Sequence, residues 1–114
     1  MADSYRPPAA VRRAARRALE LRASLPKSRR GMTSVGIRRA TQLANGQPVS
    51  VKTLKRMISF FARHEVDKKG KGWGKDSEGY QGWLGWGGDP GRAWARRILR
   101  RVEREKRKRK GSRQ

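Results

Sequence analysis

Arginines recur at helical spacing near both ends of the chain. Arg12, Arg13, Arg16 and Arg17 fill two i, i+4 rows, and Arg96, Arg97, Arg100, Arg101 and Arg104 repeat the arrangement far downstream. A guanidinium stays charged at any physiological pH, and its planar fork of N–H donors matches phosphate oxygens. Five arginines between positions 12 and 22 meet only Glu20, so most of this charge has no local partner. Like charges at i, i+4 destabilise a free helix by roughly 0.2–0.5 kcal/mol per pair, and a bound phosphate backbone reverses that sign. A merely solvated arginine face is the rival reading. The second run continues into Lys106, Arg107, Lys108, Arg109 and Lys110, a basic tail that can be helical on a polyanion.

Other chemistry is poorly supplied. The chain of 114 residues has no cysteine and one histidine, His64, beside Glu65 and Asp67. One histidine with scattered acids is too few ligands for a metal and lacks a nucleophile with its base, so no metal, no cofactor and no enzymatic activity are expected. His64 reads better as a helix-end residue. The run Lys68 to Lys75 has glycines and lysines but no GKS or GKT, and no apolar strand precedes it, so it is not a phosphate loop. Trp73 stands in that run between glycines and lysines, where stacking on an unpaired base competes evenly with packing. The other tryptophans, Trp83, Trp86 and Trp94, are assigned to the core.

Composition sets the frame. The formal charge is +22, from 31 Lys and Arg against 9 Asp and Glu, and only 34% of residues are hydrophobic. A core this small supports one domain, and a charge this large calls for a polyanionic partner. The ends carry most of it: net +9 over residues 1–45, +3 over 46–90 and +10 over 91–114. No apolar run is long enough to cross a bilayer and no signal-peptide pattern opens the chain, so the expectation is a protein that neither enters a membrane nor is secreted.

The elements that must position these residues follow from periodicity. Residues 1–7 read as an extended arm through Tyr5-Arg6-Pro7-Pro8, and a helix then runs to about Ser24 with Val11, Ala15, Ala18 and Leu19 inward. Ser34 to Glu65 reads as helix, tight turn, helix. Ile37, Ala40, Thr41 and Ala44 share one face of the first helix, opposite Arg38, Arg39 and Gln42; Asn45-Gly46 and Gln47-Pro48 end it. Ser50 caps the second, whose stripe is Val51, Leu54, Met57, Ile58 and Phe61, with Lys52 and Lys55 off it. A Gly/Lys/Trp-rich loop covers 68–79, a short helix spans roughly Tyr80 to Trp86, and Asp89-Pro90 is an expected cap and first position for the last helix. The domain thus spans 8–104, with 105–114 as tail. The expected architecture is all-α, four or five short helices without a sheet.

Two resemblances add to this. The helix ending in Asn45-Gly46, a link with Pro48, and Ser50-x-x-Thr53-Leu54 opening the next helix resemble the third and fourth helices of lambda-repressor-like helix-turn-helix domains. That likeness implies a recognition helix in which Arg38, Arg39 and Gln42 face bases and backbone; it departs at Pro26 to Thr33, too short for the family's scaffold helix. The phrases YRPPAAVRRAARRALELR, LANGQPVSVKTLKRMISFFARHEVDKKGKGW and GYQGWLGWGGDPGRAWA resemble a small basic domain of uncharacterised tailed-bacteriophage proteins. It implies a viral origin, with the host cytoplasm or the virion as the place of work. The function expected is phosphate-dominated nucleic-acid binding, on DNA, RNA or a nucleoprotein. The alternatives are a virion structural or packaging accessory docking on a phage head protein, and an inhibitor of a host defence nucleoprotein.

Overall fold

In the computed structural model the described residues are 4–111, with side chains described to residue 109. The chain is all-α, with five α-helices: α1 (Ala9–Ser24), α2 (Ser34–Ala44), α3 (Val51–His64), α4 (Glu78–Gly85) and α5 (Gly88–Gly111). Single 3-10 turns at Lys27–Arg29 and Glu65–Lys69 follow α1 and α3. The expectation of no sheet needs one correction. β1 (Ser4–Tyr5) pairs antiparallel with β2 (Val49–Ser50), Tyr5 opposite Val49, so the arm is pinned beside the start of α3.

Local sequence explains each boundary. Thr33 Oγ1 accepts from Gly36 N at 3.1 Å to cap α2, Ser50 Oγ accepts from Thr53 N at 3.2 Å to cap α3, and Ser77 Oγ accepts from Tyr80 N at 3.1 Å to cap α4. Gly46, at φ 68°, supplies the left-handed residue that follows α2. Within the 68–79 loop Lys75, Asp76 and Ser77 all direct their backbone N–H at the Gly72 carbonyl, folding it into a compact turn.

α1 lies against α2 and α4, and α3 against α5. The alanines at 15 and 18, completely buried with Val11, let the neighbours of α1 approach closely. The rest of the core is aromatic: Phe60, Phe61, Trp83, Trp86 and Trp94 are all buried, with Leu43, Leu54, Met57 and Ile98 between them. Among the described residues Gln81 is the one buried polar side chain, and it is fully engaged. Its Nε2 donates to the carbonyls of Arg29 at 3.1 Å and Asp76 at 3.0 Å, and its Oε1 accepts from Gly31 N at 2.7 Å. Gly31 is held so close to α4 that a Cβ there would sit 2.9 Å from Glu78 Cα. α5 at 24 residues is about 36 Å long by its helical rise. Val102 is its last half-buried residue, and every described side chain beyond it is exposed. The molecule is correspondingly elongated, 59 × 28 × 21 Å.

Candidate nucleic-acid interface

The cations expected to meet phosphate separate into two kinds. Arg13 and Arg17 on α1, Arg38 on α2, Lys52 and Lys55 on α3, and Arg96, Arg97, Arg100 and Arg104 on α5 are exposed. Lys106, Arg107, Lys108 and Arg109 are exposed on the projecting end of α5, and the side chain of Lys110 lies outside the described residues. The second kind is tied into the fold. Arg12 Nη1 donates to Pro7 O at 3.0 Å, Arg16 Nη2 to Ala44 O at 3.2 Å, and the Arg101 guanidinium lies 5.9 Å from the Tyr5 ring centre. These three fasten the arm and α2 to their neighbours while keeping their charge near the surface.

The ion-paired carboxylates are gathered elsewhere, while Glu20 on α1 and Glu103 and Glu105 on α5 stand among the cations. Glu65 accepts from Arg92 at 2.6 Å and stands 3.9 Å from Lys68; Asp89 stands 3.4 Å from Lys68; Asp76 pairs with Arg29. All of these acids belong to the 65–89 stretch. None of the expected cations from Arg12 to Lys108 pairs with a carboxylate among the described residues. The fold therefore neutralises the 65–89 stretch and leaves cations on α1, α3 and α5 without a carboxylate partner.

Two of the three α2 residues expected to read bases, Arg39 and Gln42, are engaged within the chain. Arg39 donates to Gln42 Oε1, and Gln42 Nε2 donates to Pro48 O at 3.1 Å, so both ends of that amide are used inside the chain. The Arg39 guanidinium sits 5.5 Å from the Trp86 ring centre, and its Nε is buried without a partner. Burial lowers its pKa from the usual arginine value, and the like charges of Arg56 and Arg38 lower it further. Arg39 and Gln42 are thus a structural correction to the recognition-helix assignment: they hold α2, its following turn and Trp86 together. Arg38 alone of the three is exposed and unengaged.

Trp73 is likewise corrected as a stacking platform. Its ring packs edge-on against Tyr80 at 5.2 Å and Trp83 at 5.6 Å, half-buried on the core. Asp89 is not the cap expected: it lies in the first turn of α5, and its Oδ1 accepts from Trp83 Nε1 at 2.9 Å. The sequence reading places Arg56 off the apolar stripe of α3 without assigning it to the phosphate-contacting set; it is exposed, and its charge acts on Arg39. Its spacing four residues after Lys52 was the available signal. Among the described residues no group of three potential metal ligands is present, and no helix is long and apolar enough to cross a membrane. No protein-family model, curated protein or solved structure matches this chain.

Proposed function

We propose that the protein binds nucleic acid chiefly through phosphates, with little sequence preference, and that it is of bacteriophage origin. The observation that carries this reading is the separation of charge. Exposed arginines and lysines without a carboxylate partner line α1, α3 and α5 from Arg100 to Lys108, while the ion-pairing carboxylates sit together in 65–89. Neutralising phosphates with such side chains releases condensed counterions, which supplies affinity for any sequence. The end of α5 strengthens the argument. A helix that leaves the body of the fold and carries Arg104, Lys106, Arg107 and Lys108 repels itself in isolation and is relieved by a polyanion.

Weak sequence preference follows from the engagement of Gln42 and Arg39, which removes the side chains best suited to base edges on α2. The test is direct titration of purified, nuclease-treated protein with duplex DNA and with structured RNA of random sequence at low salt. Tight binding that random competitor of either kind displaces supports the reading. Absence of binding, or retention of one sequence against excess competitor, contradicts it.

A further inference from the structure

A groove of about 540 Å³ opens between the start of α2, the end of α3 and the start of α4. Met32, Thr33, Phe60, His64, Glu78 and Trp86 line it, and its size falls within the range of small-ligand sites. One flank is a continuous ladder of flat groups. The Arg39 guanidinium covers Trp86 at 5.5 Å, Trp86 stacks on Phe60 at 4.9 Å and 14°, and Phe60 stacks on His64 at 4.3 Å and 27°. Trp86 and His64 make no ring contact with each other, so they cover opposite faces of Phe60. Each inner layer is sandwiched. His64 is the end of the ladder, its side chain 42% exposed, and no described ring or cation stacks on its outer face.

Its orientation is fixed at the edge. His64 Nδ1 lies 3.0 Å from Asp67 Oδ2, and because a carboxylate only accepts, Nδ1 carries the hydrogen. That bond holds the ring in plane with the ladder and leaves its outer face as the next layer.

We propose that the outer face of His64 is a stacking site for a single unpaired nucleobase. This rests on the nucleic-acid reading and adds to it a preference for a base free of its partner. Stacking is the interaction a planar heterocycle makes with a histidine face, and every base has such a face, so the site is compatible with weak sequence preference. The polar groups of the groove suit a base edge better than a phosphate. The Glu78 side chain forms no hydrogen bond or ion pair among the described residues and is an open acceptor for a base-edge N–H, whereas it and Asp67 repel phosphate. The phosphates of the same strand have exposed cations at hand in Arg63, which precedes His64 in the chain, and Arg56 two helical turns earlier, while the half-buried Arg30 at the groove donates to the Leu25 and Ala23 carbonyls.

The experiment compares two single strands of equal length and equal phosphate count, an oligothymidylate and a wholly abasic strand, against the full chain and two variants. The expected result is that the abasic strand binds about 5- to 100-fold more weakly to the unaltered protein, the worth of one stacked base. H64A should bring the two strands together, and H64F, which keeps a flat ring and loses only the Asp67 bond, should restore the difference. H64F also shows that loss in H64A is not loss of fold. Equal binding of both strands to the unaltered protein overturns the stacking site and leaves phosphate binding intact. A difference that survives in H64A places the stacking elsewhere and overturns it too. If neither strand nor duplex binds, the nucleic-acid reading falls and the stacking site with it.

Discussion

Trp83 donates its indole N–H to Asp89 Oδ1 at 2.9 Å, joining α4 to the first turn of α5 across the Trp86–Gly87 turn that separates them. The indole is buried, with Trp83 only 2% exposed, while the Asp89 carboxylate that accepts from it faces solvent, so water is the only substitute partner once Asp89 is removed. Asp89 also stands 3.4 Å from Lys68, and Lys68 in turn lies 4.5 Å from the Trp83 ring centre. One carboxylate therefore holds the tryptophan and the cation that covers it, at a helix start where negative charge is favoured.

Asp89→Ala should cost about 0.5–1.5 kcal/mol, the net worth of a hydrogen bond that water can partly replace. Asp89→Asn keeps an acceptor oxygen and should lose less. Thermal melts of both variants check the order. Equal losses would show that the charge, and not the hydrogen bond, matters at this position.

Trp94→Ala and Phe61→Ala should each cost about 3–5 kcal/mol, enough to unfold a domain this small. Both side chains are buried, Phe61 completely. Trp73→Ala should fall between these and a surface change, at about 1–2 kcal/mol, because its ring gives two edge-on aromatic contacts from a half-buried position. Chemical denaturation ranks the three. A Trp73 variant as stable as the unaltered chain would return that ring to the surface.

The helices were legible where one residue type repeats or caps. Ser50 with the 3.6-residue stripe of α3, Gly46 after α2, and the arginine rows of α1 and α5 each follow from local rules. What was not legible depends on contacts between distant segments. Gln81 reads as an ordinary polar residue of a short helix, yet it ties Gly31, Arg29 and Asp76 together. Gln42 and Arg39 look outward on a helical wheel and are instead drawn to Pro48 and Trp86. The long-range placing of Trp86 against α2 and α3 decides this, and periodicity within α2 carries no trace of it. The same holds for the π-ladder, whose members come from three helices.

Removing 105–114 should weaken binding and leave the melting temperature nearly unchanged. The described side chains beyond Val102 are exposed, so they contribute little to the core. Melts and titrations of the shortened protein separate the two effects. A large fall in melting temperature would show that the end of α5 packs.

Gln42→Ala should lower stability by about 1 kcal/mol through loss of the Arg39–Gln42–Pro48 bridge, and it should not change which sequences are bound. Arg38→Ala should weaken binding to all sequences alike, as a phosphate contact does. Selection from a random duplex library is the check. Enrichment of a defined motif that vanishes in Gln42→Ala would mean the amide leaves its internal partners to read a base.

Phosphate-dominated binding makes one quantity decisive, the dependence of affinity on salt. Each phosphate neutralised on B-form DNA contributes about −0.9 to the slope of log affinity against log salt concentration. With unpaired cations on α1, α3 and α5, the expected plot for the unaltered chain on random duplex is linear with a slope of about −5 or steeper, the mark of roughly six or more contacts. A slope near zero, or no binding at low salt, would contradict the account at its centre.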